Sequence, residues 1–232
     1  MPTYKDHYVA FMDLLGFKEM IKDRSCDDIV SIFNEIRNKY IITCDADESK
    51  SPLVCSEEIN IKVMSDSICI YIRADLENAL PTLLGLCSYF LVRMLRFSPP
   101  VLVRGGIAQG NIYSDGDVIF GDGLIRAYLL ESKNAEVPRI IVTKDLLDKY
   151  SNCSSDTKTY MQSLLATDFD FFLYINCWPM FCMWDRKNGG VDRLYEYIES
   201  ILNTTGDNSL RKKFTYLKQK ILPYYNPEDN NA

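Results

Sequence analysis

The stretch VAFMDLLGFKEM, residues 9–20, decides the predicted fold. Its first four residues are apolar, a pattern typical of a buried strand, and a single acidic residue, Asp13, follows them. Apolar side chains then recur at helical spacing over residues 16–40. We therefore predict a strand over residues 7–14 with a carboxylate at its end, followed by a long helix.

The composition of the 232-residue chain, with 47% hydrophobic and 25% charged residues, is typical of one α/β or α+β domain. Its formal net charge of -6, without a Lys/Arg-rich block, argues against a broad nucleic-acid-binding surface. The longest apolar stretch, residues 79–97, contains Pro81, Arg93 and Arg96. These residues predict a core helix rather than a membrane span.

The eight cysteines include no C-x-x-C pair, and several of them lie in apolar runs. No basic-then-apolar signal sequence opens the chain. We therefore expect reduced thiols and a cytoplasmic protein, with a disulfide framework as the less favoured alternative. Because His7 is the only histidine, the sequence also disfavours a zinc site.

Two strand-like runs, residues 61–64 and 67–74, are separated by Ser65 and Asp66, which predicts a hairpin with the acid at its tip. With the flanking elements the order is β-α-β-β-α-β. This order predicts an α+β fold, a ferredoxin-like split βαβ sheet with two helices on one face. The other elements predicted before residue 150 are a helix over 76–97, strands over 101–113, 117–123 and 139–144, and helices over 124–132 and 144–150.

The C-terminal part, residues 150–232, is a predicted α/β extension of unassigned role, joined to a core of about residues 7–145 in a single domain spanning 1–232. Its segment WPMFCMW (178–184) is predicted to be core or dimer interface. We predict a loop over 151–160, a strand over 169–178, and helices over 190–203 and 207–222. The last helix carries five cations, predicted to form a solvated face, with a contribution to the phosphates of a neighbouring site as the alternative: Arg211, Lys212, Lys213, Lys218 and Lys220.

Two acids meet in this topology. The first strand is central in a split βαβ sheet, so Asp13 at its end can lie beside Asp66 at the hairpin tip. Two adjacent carboxylates repel each other unless a cation lies between them. Magnesium binds through one or two carboxylates plus substrate phosphates. We therefore predict a site for two metal ions and a nucleoside triphosphate. The alternative is that each acid only caps a helix or forms a turn.

Arg104 is the third candidate, because it lies inside an apolar strand region and needs an anionic partner there. A triphosphate would supply one, and so would a carboxylate at the edge of the core. The adjacent pair Gly105-Gly106 predicts close backbone approach by a ligand or a subunit. Lys62, four residues before Asp66, is either a binding cation or a solvent-facing strand residue.

Four blocks in this order resemble the class III nucleotidyl cyclases, the adenylate and guanylate cyclase catalytic domain, over residues 7–145. FMDLLGFKEM resembles F-x-D-I-x-G-F, IKVMSD resembles I-K-x-I-G-D, VRGGIAQG resembles R-V-G-I-x-x-G, and VIFGDGLIRAYLLES resembles W-G-x-x-V-N-x-A-x-R-x-x-S. The resemblance implies Asp13 and Asp66 as metal aspartates, the Leu14 carbonyl as a backbone ligand and Arg104 on the triphosphate. It also implies two Mg²⁺ or Mn²⁺ ions per site and a homodimer.

The last block departs from the family at its two functional positions. Where purine cyclases have an Asn and an Arg that bind the ribose and the reacting phosphate, this chain has Ile125 and Leu129. Arg126 could substitute, but a shift of one residue turns a helical side chain by about 100°. The part of the site that stabilises the transition state therefore differs from that of a purine cyclase.

The base-selecting positions depart as well. In the family a Lys and an Asp select adenine. Here Lys62 stands at the first position and Val118 at the second, with Asp117 adjacent. The guanine-selecting pair is absent. The resemblance places each site between two subunits, with base contacts from Lys62 and the 117–126 segment of the partner chain.

The function implied by these matches is conversion of a nucleoside triphosphate to its 3′,5′-cyclic monophosphate and pyrophosphate. The variants D-L-L-G-F and R-G-G-I-A-x-G resemble the pyrimidine cyclases of the bacterial anti-phage Pycsar system. The resemblance therefore implies UTP or CTP as substrate, cyclic UMP or cyclic CMP as second messenger, and a separate effector protein that reads it. The alternatives are a purine (adenylate) cyclase and a degenerate domain that binds a nucleotide without turning it over.

Overall fold

The computed structural model describes residues 2–37, 58–148 and 154–225. One eight-stranded sheet runs through this part of the chain in the order β2-β3-β1-β4-β6-β8-β7, with β5 paired to β4 outside that path. The strands are β1 (Lys5–Leu15), β2 (Asn60–Met64), β3 (Ser67–Arg73), β4 (Leu102–Asp115), β5 (Val118–Phe120), β6 (Ile140–Val142), β7 (Leu165–Thr167) and β8 (Leu173–Ile175). The helices are α1 (Phe17–Asp23), α2 (Cys26–Arg37), α3 (Ala79–Leu95), α4 (Asp122–Asn134), α5 (Asp145–Asp148), α6 (Ser155–Ser163), α7 (Trp178–Asp185), α8 (Gly190–Thr204) and α9 (Asn208–Ile221).

The predicted split βαβ core is confirmed. Strand β1 lies between β3 and β4 and is antiparallel to both, while β2 pairs with the far side of β3. The register places Asp13 opposite Ser67 on one side and Arg104 on the other. The central position of β1 therefore brings the three segments with predicted site residues to one end of the sheet.

Both faces of β1 are covered. Ala10 and Met12 pack with α2 and α3 in the main core, and every residue of α3 except Arg93 is buried. Val9 and Phe11 alternate to the opposite face, where they pack with Ala127 of α4. Two helices thus share one face as expected, and α4 additionally covers the other. None of the helices in the described residues is both long and apolar enough to span a bilayer.

The glycines of β4 have a different partner from the one expected. A Cβ atom at Gly106 would lie 2.6 Å from the carbonyl oxygen of Ala127, and one at Gly110 would lie 2.7 Å from the Cα of Gly123. Helix α4 therefore approaches the backbone of β4 closely. The expectation of a ligand or a subunit at this position is wrong, because the chain's own helix fills the space.

The C-terminal extension continues the same sheet. Strand β6 pairs in parallel with β4, β8 pairs antiparallel with β6, and β7 forms the edge. Phe181 of α7, Ile198 of α8 and Leu217 of α9 are buried in the same cluster as Met12 of β1. The extension and the core therefore share one continuous sheet and one continuous hydrophobic cluster.

Several predicted boundaries are wrong. The helix predicted over 16–40 breaks at Ser25. The Ser25 hydroxyl accepts a hydrogen bond from the Asp28 amide, and the Asp28 carboxylate accepts one from the Ser25 amide. This reciprocal pair is a capping box, and it starts α2. The loop predicted over 151–160 contains the start of α6, which the Ser154 side chain caps. The strand predicted over 169–178 shrinks to β8, because Trp178 begins α7. The parts of the predicted elements that fall on residues 38–57 and 149–153 lie outside the described residues.

The five described cysteines are free thiols, and four of them are buried. Burial raises the pKa of both Cys69 and Cys177 to about 12, so these thiols stay protonated at neutral pH. Within WPMFCMW, Trp178, Phe181 and Cys182 are buried in the core, which agrees with the prediction for this segment.

Candidate functional site

Asp13 and Asp66 lie on adjacent strands at one end of the sheet. Asp66 occupies the two-residue turn between β2 and β3, which is tight enough to place Ser65 at a φ of 58°. The amide of Leu14 donates a 3.0 Å hydrogen bond to the Asp66 carbonyl. The backbone therefore joins the residue after Asp13 directly to Asp66, as the topology predicted. The Leu14 side chain is buried in the core, and the ligand role of its carbonyl stays a prediction.

Arg104 links Asp13 to a second carboxylate that the sequence did not single out. Its Nε lies 3.3 Å from Asp13 Oδ2 and 2.6 Å from Oε1 of Glu131, on α4. The Glu131 side chain is only 3% exposed. The anionic partner of Arg104 within the chain is therefore a pair of carboxylates, and its contact with a triphosphate stays a proposal.

Negative charge exceeds positive charge at this cluster. Burial raises the pKa of Asp13; the positive charge and hydrogen bond of Arg104 oppose that shift, and the charge of Asp66 adds to it. Burial also raises the pKa of Glu131, with Arg104 opposing and Asp13 adding. Two carboxylates thus contact one guanidinium and a third lies near Asp13, an arrangement that a further cation would stabilise.

The donor set fits a metal ion that also binds the substrate. Asp13 and Asp66 offer carboxylate oxygens, which magnesium and manganese prefer. In the described ranges, no group of three or more His, Cys, Asp or Glu side chains could hold a metal by itself. The protein would therefore supply only part of the coordination shell, and substrate phosphates and water would supply the rest.

Lys62 lies next to the segment that the resemblance pairs with it. It stands on β2 opposite Cys69, and its Nζ donates to the carbonyl of Gly116 in the turn between β4 and β5. The next two residues are Asp117 and Val118, both exposed. The structure thus places Lys62 beside both candidates for its base-selecting partner. Their role in base selection stays a prediction.

Arg126 is not brought into the cluster of Asp13 and Arg104. Its side chain is 64% exposed, and it pairs at 2.9 Å with Asp122 one turn earlier on α4. Ile125 and Leu129 are also exposed on the outer surface of α4, with 57% and 38% of their side chains accessible. The three positions therefore form an exposed, mainly apolar surface on the side of α4 that faces away from the sheet.

Two further residues lie near the site: Glu131, which the sequence did not single out, and Lys213, one of the α9 cations predicted to form a solvated face or to contribute to the phosphates of a neighbouring site. Glu131 follows the buried Ala127 by four residues, so an acid on the apolar side of α4 was the available signal. Lys213, on α9 of the extension, lies near enough to Asp13 for its positive charge to lower the pKa of that carboxyl. Nothing in the sequence pattern connects Lys213 to β1. Among the other cations of α9, Lys220 is partly buried against Asp168, whereas Lys212 is exposed.

Comparison with known proteins finds similarity at the level of structure alone. No protein-family model matches the sequence. No curated protein matches it. Among solved structures, the adenylyl cyclase CyaB from P. aeruginosa is 15% identical, with 75% of this chain and 94% of that chain covered and a TM-score of 0.44.

Two further solved structures are similar to a comparable degree. An adenylate/guanylate cyclase/hydrolase from Silicibacter pomeroyi is 16% identical, with 75% of this chain and 96% of that chain covered and a TM-score of 0.42. A class III adenylyl cyclase-like ATP-binding protein from Pseudomonas aeruginosa is 12% identical, with 62% of this chain and 34% of that chain covered and a TM-score of 0.40. At these values the likeness leaves both family and function open.

Proposed function

We propose that this protein is a nucleotide cyclase that converts a nucleoside triphosphate into its 3′,5′-cyclic monophosphate and pyrophosphate. The observation that carries the proposal is the meeting of Asp13 and Asp66 at one end of the sheet, beside Arg104. The excess of carboxylates there suits divalent cations, and the guanidinium suits phosphate oxygens. The four sequence blocks that resemble class III cyclases contain these same residues.

In the proposed reaction the ribose 3′-oxygen attacks the α-phosphorus, the bond from that phosphorus to the bridging oxygen breaks, and pyrophosphate leaves. When bound, two Mg²⁺ or Mn²⁺ ions would lower the pKa of the 3′-hydroxyl, whose proton passes to solvent, and neutralise the triphosphate. Asp13, Asp66 and the Leu14 carbonyl would hold them. Asp13 and Glu131 both contact the Nε of Arg104, so its terminal nitrogens would bind phosphate oxygens.

The substrate proposed is UTP or CTP, because the variants D-L-L-G-F and R-G-G-I-A-x-G resemble those of the Pycsar pyrimidine cyclases. The site would be completed in a cytoplasmic homodimer, and the exposed apolar positions 125 and 129 on α4 suit contact with a partner. The product would act as a second messenger in anti-phage defence, read by a separate effector protein. A purine cyclase is the second candidate, since Lys62 lies beside Asp117.

The test is incubation of the purified protein with ATP, GTP, CTP and UTP separately, each with Mn²⁺, and separation of the products by HPLC. We expect cyclic UMP or cyclic CMP from the wild type and no product from Asp66→Asn. The matched control Asp23→Asn, an exposed acid at the end of α1, should retain activity. Cyclic AMP would favour the purine alternative. Nucleotide binding without any product would overturn the enzyme proposal.

A further inference from the structure

A cavity of about 200 Å³ lies where α7 and α8 of the extension meet the end of α3. It shares no lining residue with the cluster of Asp13, Asp66 and Arg104. Its polar lining consists of Arg96, Ser98, Asp185, Arg193 and Tyr197. The core and the extension therefore build this cavity together, and it is independent of the proposed cyclase site.

Asp185 fixes one arginine in the cavity wall. Its side chain is 2% exposed, and its Oδ1 lies 3.1 Å from the Nε of Arg96, whose side chain is 35% exposed. The second oxygen of Asp185 is buried and has no hydrogen-bond partner within the described residues. Because Asp185 contacts Arg96 through Nε, the two terminal nitrogens of that guanidinium are available at the cavity surface.

Two more arginines add positive charge at or near the cavity. Arg193 lies on α8 and lines the cavity, and no hydrogen bond or ion pair is found for its side chain in the described part of the chain. Arg24 donates a 2.5 Å hydrogen bond to the carbonyl of Pro99, in the loop that forms the rim. Burial raises the pKa of Tyr197, and the nearby charge of Arg24 opposes that shift. Two guanidinium groups and one carboxylate thus line the cavity, in a chain whose net charge is -6.

We propose that this cavity binds a small phosphorylated ligand, with its phosphate held by Arg96 and Arg193. A guanidinium presents paired donors that match phosphate oxygens, and Arg193 leaves the cavity one net positive charge after Asp185 has been balanced by Arg96. The hydroxyl groups of Ser98 and Tyr197 offer further hydrogen bonds from the same walls. Asp185 does not repel the anion, because Arg96 neutralises it.

The ligand would also connect two parts of the molecule. Ser98 belongs to the segment that leads into β4, while Arg193 belongs to α8 of the extension. A phosphate that contacts both side chains would hold the extension against the core. Residues 150–232 would then provide a second binding function in addition to extending the sheet.

The test is isothermal titration of the full chain with inorganic phosphate, ribose 5-phosphate and UMP, in EDTA so that no metal contributes. We expect binding with a Kd below about 1 mM. Arg193→Ala should weaken it at least about tenfold, because charge-assisted hydrogen bonds to the anion are lost. Since the Arg193 side chain has no hydrogen-bond or ion-pair partner among the described residues, its replacement should leave the Tm unchanged, which separates lost binding from lost folding.

A matched control locates the site. Arg37→Ala removes an exposed arginine that does not line the cavity. It should bind phosphate like the wild type. Equal binding of the three ligands would mean that the phosphate group alone is recognised, and tighter binding of the esters would mean that the cavity also holds the organic part. Absence of binding at about 10 mM, or equal weakening by Arg193→Ala and Arg37→Ala, would overturn the proposal.

Discussion

Two arginines lie at neighbouring positions of the sheet, and the carboxylates that contact them have pKa values shifted in opposite directions. Arg104 belongs to β4 and Arg139 immediately precedes β6, and the amide of Gly105 donates a 3.0 Å hydrogen bond to the Arg139 carbonyl. The carboxylates that contact Arg104 have raised pKa values, mainly because burial disfavours their charge. The two that contact Arg139, Asp168 and Asp170, have lowered pKa values.

Charge balance explains the difference. Arg139 contacts Asp168 at 2.6 Å and Asp170 at 2.9 Å, and Lys220 contacts Asp168 at 2.9 Å. Tyr216 donates a further 2.8 Å hydrogen bond to Asp168. Burial alone would raise the pKa of Asp168, but these donors outweigh it. The cluster around Arg139 is thus neutral and joins β6, α9 and the segment between β7 and β8, whereas the cluster around Arg104 retains unbalanced negative charge that suits a ligand cation.

Breaking the balanced cluster should have the largest effect. Arg139→Met leaves Asp168 and Asp170 without their shared partner, and loss of one member of a buried pair costs about 3–5 kcal/mol of unfolding free energy. Urea denaturation measures the loss. The matched control Arg126→Met breaks an exposed pair on α4 and should cost about 0.5 kcal/mol or less. Similar losses in the two variants would contradict a structural role for Arg139.

Replacing a carboxylate of the cluster around Arg104 should abolish most of the activity without lowering the stability. Asp13→Asn should lower the cyclase rate by about a thousandfold or more, because a metal ligand supplies several kcal/mol of transition-state stabilisation. Its free energy of unfolding should be unchanged or higher, because the pKa of Asp13 is raised and its ionised form is the less stable one in the fold. Rate and urea denaturation are measured on the same preparation, with Asp23→Asn as control. Asp13 does not cap α1, whose N-cap is Gly16 without a side-chain hydrogen bond. A strongly destabilised but active Asp13→Asn variant would show that Asp13 only pairs with Arg104 to hold the fold.

The carboxylates of the two clusters should change the stability of the protein in opposite directions as the pH rises. The folded pKa of Asp170 is lowered below 3.8, first because Arg139 donates to it, so its contribution is complete above that pH and is lost as the pH falls through the folded pKa. The folded pKa of Asp13 is raised above 3.8, so its contribution is present below that pH and is lost as the pH rises through the folded pKa. Asp170→Asn should cost about 1.5–3 kcal/mol at neutral pH and flatten the loss in acid. A steeper loss in acid for this variant would rule out the assignment.

The smallest effect should come from the residue that positions Arg104. Glu131→Gln keeps the size of the side chain but removes the charge that holds the Nε of Arg104. If Arg104 binds the triphosphate equally in the ground and transition states, KM for the nucleotide should rise about tenfold with little change in kcat. Glu136→Gln, which removes an exposed acid paired with Lys212, is the matched control. A fall in kcat at constant KM would instead place Arg104 on the reacting phosphate.

The parts of the site that could be predicted depend on local pattern. The hairpin that carries Asp66 follows from two alternating runs and a two-residue turn, and the position of Asp13 follows from the order of elements. The contact of Glu131 with Arg104 could not be derived this way, because it requires α4 to pack closely against Gly106. The approach of Lys213 depends on the tertiary placement of α9, which no short-range pattern encodes.

Strand β7 and the break before α2 were missed for two different reasons. Strand β7 has three residues and exists only through its pairing with β8, so its sequence alone is uninformative. The break before α2 was readable, since Ser25 and Asp28 have the spacing of a capping box, but the apolar periodicity continues across it. Global packing decides the first case, and a local signal was outweighed in the second.

The contact between Gly110 and Gly123 has a consequence for how this sequence can diverge. A Cβ atom at either position would lie 2.7–2.8 Å from backbone atoms of the other residue. Any side chain at one position would therefore push α4 away from β4, and a change at the second position could not compensate. We therefore expect the two glycines to be kept or lost together. A related sequence that lacks one of them would hold its counterpart of Glu131 at a different distance from the sheet.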